Sequence, residues 1–94
     1  MRWVEIISAR LAVSTPPADA KQLFRDIRKH VADETRERIR VAIYRDCLLE
    51  SDWAIHLHRD AGESPPGRTR VGLKLADDLR RMALVDHSVW LEET

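Results

Sequence analysis

Residues 39–58 read IRVAIYRDCLLESDWAIHLH, and their hydrophobic pattern limits the fold more than any other part of the chain. Apolar and polar residues alternate over 39–44 and again over 53–58, a two-residue period that is typical of half-buried strands. The link between them, about residues 47–52, is too short for a helical crossover. The sequence therefore predicts an antiparallel hairpin in the middle of the chain.

Two elements are predicted on the N-terminal side of this hairpin. Residues 3–13, WVEIISARLAV, are rich in β-branched and aliphatic side chains, which is typical of a strand buried on both faces. Residues 14–17, Ser-Thr-Pro-Pro, then supply an N-cap hydroxyl followed by proline at the first helical positions. Apolar residues recur at spacings of three and four as far as about Asp33, so an amphipathic helix is predicted there.

On the C-terminal side of the hairpin, the sequence predicts a helix followed by a strand. Residues 64–66, Ser-Pro-Pro, carry the same cap-and-proline signal and predict that a second helix begins near them. An apolar stripe follows at Val71, Leu75, Leu79 and Met82. Residues 85–91 alternate again as a last strand, which gives the order β-α-β-β-α-β.

This order predicts an α+β fold, a ferredoxin-like sandwich with a four-stranded antiparallel sheet and both helices on one face. A chain of 94 residues is expected to form a single domain, residues 1–94. The other face of the sheet, roughly 450 Å² in area, would have no cover. Its predicted side chains are Arg38, Arg40, Tyr44, His56, His58 and Trp90, opposite the apolar set of the hairpin.

Composition excludes several classes of function. Sixteen Lys and Arg balance sixteen Asp and Glu, so no overall field attracts nucleic acid or an acidic membrane. The single cysteine, Cys47, excludes an internal disulfide and a thiolate metal cluster, and we interpret it as structural in a reducing cytoplasm. No signal peptide or apolar run of about 20 residues is visible, so membrane insertion is not expected.

An uncovered sheet face has three sensible uses: a homodimer interface, a ligand cavity between two sheets, or a platform for single-stranded nucleic acid. Dimerisation is favoured, because neither helix can reach that face and a second copy would cover it. The nucleic-acid platform ranks last, since residues 51–60, SDWAIHLHRD, contain one aromatic residue and no glycine.

His56 and His58 lie on one side of one strand, about 6.5 to 7 Å apart, a spacing that can serve a shared metal. A metal would need a further ligand, for which Glu5, Asp46 and His87 are candidates, although His87 is predicted on the opposite face. We interpret the pair as ordinary histidines of a polar face, with no metal and no cofactor.

A small-molecule pocket is the alternative for the same face. Tyr44, Trp90 and the two histidines could line a site for an aromatic or polyketide-like molecule, with imidazole as proton acceptor near neutral pH. Arg40 joins this predicted ligand-binding set, although aromatic residues on a sheet serve packing more often than binding.

Arginines at 36, 38 and 40 alternate along the second strand, which the predicted order places at an edge of the sheet. They could bind an anion, but charged side chains at an edge more commonly discourage unwanted strand pairing. Arg68 and Arg70, near the start of the second helix, could likewise meet a phosphate or carboxylate and are interpreted as surface charge.

Residues 71–93, VGLKLADDLRRMALVDHSVWLEE, run from the second helix into a strand that bears a tryptophan. With the element order, they resemble the dimeric α+β barrel superfamily, which includes antibiotic-biosynthesis-monooxygenase-like and stress-responsive barrel proteins. The resemblance covers nearly the whole chain. It implies a homodimer and cofactor-independent oxygenation or isomerisation of small aromatic compounds. Monooxygenases of this kind typically place Asn and Trp in the pocket, whereas this sequence contains no Asn.

Overall fold

The helices and strands of the computed structural model follow the predicted order. The structure describes residues 1–34, 39–60, 62 and 65–93. Its elements are β1 (Arg2–Leu11), α1 (Pro17–Glu34), β2 (Arg40–Arg45), β3 (Asp52–Asp60), α2 (Arg70–Arg80) and β4 (Ala83–Leu91). The prediction of a ferredoxin-like β-α-β-β-α-β fold is confirmed.

The four strands form one antiparallel sheet in the order β2-β3-β1-β4, so β2 and β4 are its edges. The predicted hairpin joins β2 to β3. Asp46 organises its turn, because its Oδ1 accepts hydrogen bonds from the backbone N–H groups of Leu48 at 2.8 Å and Leu49 at 2.9 Å. This capped turn fixes the register in which β2 presents its side chains to β3.

The hydrophobic core lies between one face of the sheet and both helices. Phe24 of α1 stacks on Trp53 of β3, with ring centroids 4.4 Å apart and planes 7° from parallel. Side chains of this size contribute about 1.5–3 kcal/mol each when they are fully buried. The fully enclosed members include Ile7, Val31, Ile55, Leu57, Ala76 and Leu79.

The second helix begins later than the Ser-Pro-Pro signal predicted. Thr69 is its N-cap, in extended conformation, and its side-chain oxygen accepts a hydrogen bond from the N–H of Gly72 at 3.0 Å. Pro65 and Pro66 precede the helix in the connecting loop, and Ser64 lies outside the described residues. A cap needs an oxygen placed over the first turn, and Thr69 supplies it.

Three smaller expectations were wrong. Met82 was placed on the apolar stripe of α2, but it follows the end of the helix and is 50% exposed. Cys47 was interpreted as structural, but it is exposed in the turn after β2. The first strand was predicted to reach Val13, whereas β1 ends at Leu11. Within the described residues, neither helix has the length and apolar character needed to cross a membrane.

Candidate functional site

One face of the sheet carries no helix, and we call it the open face. Trp3, Ile7 and Leu11 of β1 are buried with the core, so the alternate residues of the strand point to the other side. Residues that pair directly across neighbouring strands lie on the same face, so the cross-strand pairing assigns the residues of β3 and β4 as well. The open face therefore consists of Arg2, Val4, Ile6, Ser8 and Arg10 of β1 with their cross-strand partners, among them His56, His58, Ser88 and Trp90.

The predicted site residues occupy rows that cross this face. Arg40 pairs with His58, His58 pairs with Val4, and Val4 pairs with Trp90. These four side chains therefore form one row from β2 to β4, which we call the cross-sheet row. Neighbouring strands are about 4.8 Å apart, so His58 and Trp90 stand about 10 Å apart on either side of Val4.

His56 and Tyr44 lie in the next rows of the open face. The Tyr44 and His56 rings are 4.7 Å apart between centroids, and those of His56 and His58 are 5.8 Å apart. Tyr44, His56 and His58 thus form a continuous aromatic strip along the β2–β3 side of the face. The sequence correctly placed the five predicted residues on one face.

A cleft of about 860 Å³ opens at the end of the sheet where β1 begins, and we call it the end cleft. Its volume lies within the range of small-molecule sites, roughly 300–1,000 Å³. The whole cross-sheet row lines it. The remaining lining residues are Arg2, Trp3, Ile39, Arg59, Asp60, Leu91 and Glu92.

Two of the five predicted residues stand outside the end cleft. Tyr44 lines a second cleft of about 510 Å³ at the opposite end of the sheet, and His56 lies between the two without lining either. Arg10 and Asp52 meet in that second cleft through two hydrogen bonds of 2.8 and 2.9 Å. This bond to Arg10 holds the pKa of the Asp52 carboxyl below its usual range.

The two histidines of the open face are kept neutral by their surroundings. Burial lowers the pKa of His56 below its ordinary value of 6.5. Burial is also the main cause that lowers the pKa of His58, and the positive charge of Arg40 adds to it. The buried Nε2 of His58 has no hydrogen-bond partner within the described part of the chain. His58 thus lines the end cleft, while its unsatisfied Nε2 atom is itself enclosed.

A buried polar network on the helix side was not foreseen as a unit. Glu5 of β1 is completely enclosed, and its Oε2 lies 2.6 Å from Nε2 of His87 on β4. Thr69 donates to the same carboxylate through its hydroxyl at 2.7 Å and its backbone N–H at 3.1 Å. One signal was available in the sequence: Glu5 and His87 share the phase of core-facing residues in their strands, so each needed a buried partner.

Arg59 and Trp3 form the helix-side wall of the end cleft. Both are buried, with exposures of 7% and 2%, and the Arg59 guanidinium lies 5.7 Å from the centre of the Trp3 ring. This is a cation–π distance. Arg68 donates to the backbone oxygen of His87 at 3.0 Å, so it is tied to β4 rather than free for an anion.

The three further ligands considered for a shared metal do not lie beside the two histidines. His87 and Glu5 lie on the helix side of the sheet, and Asp46 caps the hairpin turn. Over the side chains that the structure describes, those of residues 1–32, 39–60, 62 and 65–93, no three His, Cys, Asp or Glu residues gather as metal ligands would. Arg36 and Arg38 of the predicted edge cluster lie outside the described residues.

Comparison with known proteins gives a match at the level of structure. No protein-family model and no curated protein matches the sequence. The fold matches the crystal structure of an asparagine-to-alanine mutant of SnoaB, a cofactor-independent oxygenase from Streptomyces nogalater. The TM-score is 0.67 at 14% identity, over 99% of this chain and 94% of that one. The chain thus shares its fold with that structure, and this fold is the ferredoxin-like one that the sequence predicted.

Proposed function

We propose that the protein binds a small aromatic molecule in the end cleft and removes a proton from it with His58. The observation that carries this proposal is the buried Nε2 of His58, which has no partner within the described residues and lines a ligand-sized cleft. An unsatisfied buried nitrogen is unfavourable unless something binds it. A bound ligand that displaces the groups covering this atom would supply the missing hydrogen bond.

The cross-sheet row offers a place for an aromatic ring. Val4 forms an apolar floor between His58 and Trp90, whose strands are about 10 Å apart, so a flat ring can lie over Val4 between the two side chains. Trp90 is 59% exposed, and its indole N–H donates to the Ser88 hydroxyl at 2.8 Å, which holds the ring in position. A ligand ring can therefore stack on Trp90 while its polar edge faces His58.

The proposed chemistry follows from the protonation state of His58. Because burial lowers its pKa, His58 is neutral near pH 7 and can accept a proton from an acidic C–H or O–H group. An aryl CH₂ group that loses this proton becomes a carbanion, which can pass electrons to O₂. One O₂ then converts the CH₂ group to a carbonyl and releases one water. The similarity in fold to a cofactor-independent oxygenase supports this reaction class.

A second copy of the chain is the proposed cover of the open face. Its centre is apolar at Ile6, and the end away from the end cleft carries charges of both signs, such as Arg10 and Asp86. Two such faces related by a twofold axis can bring apolar centres together and opposite charges into contact. Pairing would also shield the end cleft from water.

Binding without chemistry is the second candidate function. It is favoured by the absence of asparagine from the sequence, since related monooxygenases are expected to use one in the pocket. In that case the protein would hold the same class of aromatic molecule, and His58 would act only as a hydrogen-bond acceptor.

Oxygen uptake with anthrone separates the two candidates. Anthrone has an acidic CH₂ group and takes up one O₂ to give anthraquinone and water. We expect the protein to accelerate uptake above the buffer rate, and His58→Gln to reduce that acceleration about 100-fold or more. His30→Gln, on the exposed side of α1, is the matched control and should leave the rate unchanged. Binding of an aromatic probe with no acceleration of uptake would contradict the enzymatic proposal and favour the binding module.

A further inference from the structure

We propose that the edge strand β2 binds an extended acidic segment of a partner protein, which pairs with its backbone beside the basic flank of α1. The surface is a groove of about 210 Å³ between α1 and β2, which we call the edge groove. Its α1 side is lined by Lys21, Arg25 and Arg28, and its β2 side by Ile43. It shares no lining residue with the end cleft, so it is separate from the proposed site.

The charges of the edge groove have one sign. Lys21, Arg25 and Arg28 are four and three residues apart, so they lie on one flank of the helix. Within the described residues, none of the three takes part in an ion pair. No described acidic residue lines the groove, and the helical period places Asp19 and Asp26 on another flank of α1. Unpaired cations gathered in this way attract an acidic partner.

The backbone of β2 is open on its outer side. The N–H of Asp46, directly after β2, donates to the carbonyl oxygen of Asp52 at 2.8 Å, so the even-numbered residues of β2 direct their backbone groups toward β3. Val41, Ile43 and Arg45 therefore direct their N–H and C=O groups away from the sheet, where β2 is the edge. Such a row of groups is a template for one more strand.

The basic flank and the open backbone suit the same extended segment. Residues of an added strand that pair with Val41 and Ile43 carry their side chains on the helix side, as those two residues do. Side chains on one side of a strand repeat every two residues, about 6.6–7 Å apart. Positions 21, 25 and 28 of α1 are separated by about 6 and 4.5 Å along the helix axis. Acidic residues at alternate positions of the segment can therefore each reach a cation.

The aromatic rings of the edge groove favour a protein segment over single-stranded nucleic acid. Phe24 and Trp53 both line the groove, but they stack on each other with ring centroids 4.4 Å apart. The Arg45 guanidinium lies over the Trp53 ring, 6.0 Å from its centre. Single-stranded nucleic acid is usually bound by stacking its bases on free aromatic faces. These rings are already engaged within the protein, whereas the basic side chains and the strand edge are open.

The test uses the capped peptide Thr-Glu-Val-Glu-Val-Glu-Thr and its twin with Gln in place of each Glu. NMR titration of the full chain at low ionic strength should show the Glu peptide binding about tenfold more tightly than the Gln peptide. The double variant Lys21→Gln, Arg25→Gln should remove most of this difference. Arg70→Gln, Arg81→Gln, at the two ends of α2, is the matched control and should preserve it.

Methylated peptides test the backbone pairing. In the proposed register, the N–H groups of the Glu residues face Val41 and Ile43, and those of the Val residues face away. N-methylation of the Glu residues should therefore abolish binding, and N-methylation of the Val residues should preserve it. Equal binding of these two peptides would overturn strand pairing, and equal affinities of the Glu and Gln peptides would overturn the role of the basic flank. Tighter binding of an oligouridylate than of the Glu peptide would overturn the choice of partner.

Discussion

Glu5 and His87 meet inside the protein, with Glu5 Oε2 2.6 Å from His87 Nε2 and both side chains almost completely enclosed, at 0% and 1% exposure. The pair joins the central strand to an edge strand on the helix side of the sheet. Thr69 donates two further hydrogen bonds to the same carboxylate, which fastens the start of α2 to β1. This network stabilises the sheet on its helix side, whereas the proposed site lies on the open face.

Removing the carboxylate should strongly destabilise the fold. We expect Glu5→Ala to lower the free energy of unfolding by about 3–5 kcal/mol, because His87 and Thr69 would lose their buried acceptor. Urea denaturation measures this directly. Glu50→Ala, at an exposed position in the hairpin turn, is the control and should change stability by less than about 0.5 kcal/mol. A similar small effect for Glu5→Ala would show that the network contributes little.

Gly72 should tolerate no side chain while Glu5 is present. A Cβ atom at this position would lie 1.8 Å from Glu5 Oε2 and 2.4 Å from its Cδ. We expect Gly72→Ala to destabilise the protein by about 1–3 kcal/mol or more, measured by urea denaturation. Gly67→Ala is the matched control, because no atom lies within 4 Å of its added Cβ.

A double variant identifies the cause of that effect. In the Glu5→Ala background the carboxylate is gone, so Gly72→Ala should destabilise the protein less than it does alone. Strictly additive effects would mean that Gly72 is required for another reason.

The sequence predicted the sheet well where the period of two was clear. In β3, the core-facing Ile55 and Leu57 alternate with His56 and His58, so each face could be assigned before the structure was known. In β1, apolar residues fall on both faces, and nothing in that strand alone distinguishes the core-facing set from Val4 and Ile6. Only pairing with β3 and β4 settles the assignment.

The buried network and the end cleft depend on contacts between distant parts of the chain. Glu5 and His87 are 82 positions apart, and Thr69 is 64 positions from Glu5. A local motif such as Ser-Pro-Pro therefore misplaced the start of α2, because the true cap, Thr69, is fixed partly by its tertiary bond to Glu5. Sequence patterns found the residues of the open face, but not which of them share a cleft.

The open-face histidines should make the fold sensitive to acid. Their pKa values in the folded protein are lowered below 6.5, so the unfolded chain takes up protons first as the pH falls. The contribution of these two histidines to stability is therefore fully present above about pH 6.5 and is lost as the pH drops below it. We expect the melting temperature to fall less between pH 7.5 and 5.5 in the double variant His56→Gln, His58→Gln than in the unmodified protein.

Ser8→Ala, a substitution of a non-titrating residue on the same face, controls for this experiment and should keep the steeper pH dependence. Parallel melting curves for the double variant and the unmodified protein would show that the two histidines do not couple folding to pH.

Self-association through the open face predicts a dimer of about twice 10.9 kDa at micromolar concentration. Ile6→Lys places a charge at the centre of that face without entering the core, so sedimentation velocity should show a monomer that remains folded. Leu73→Lys, at a position on α2 that is 45% exposed, is the control and should leave the dimer intact. A monomer of the unmodified chain, or a dimer that survives Ile6→Lys, would contradict this mode of pairing.

The central claim, that an aromatic ligand binds beside His58 and Trp90, is tested most directly by NMR. Indole and imidazole N–H spectra are recorded with and without 2-naphthamide, an uncharged aromatic probe. The account predicts that resonances of Trp90 and His58 move together in a saturable way, while the indole resonance of Trp53, which packs on Phe24 behind the sheet, stays fixed. Unchanged Trp90 and His58 resonances, or movement of Trp53 alone, would contradict it.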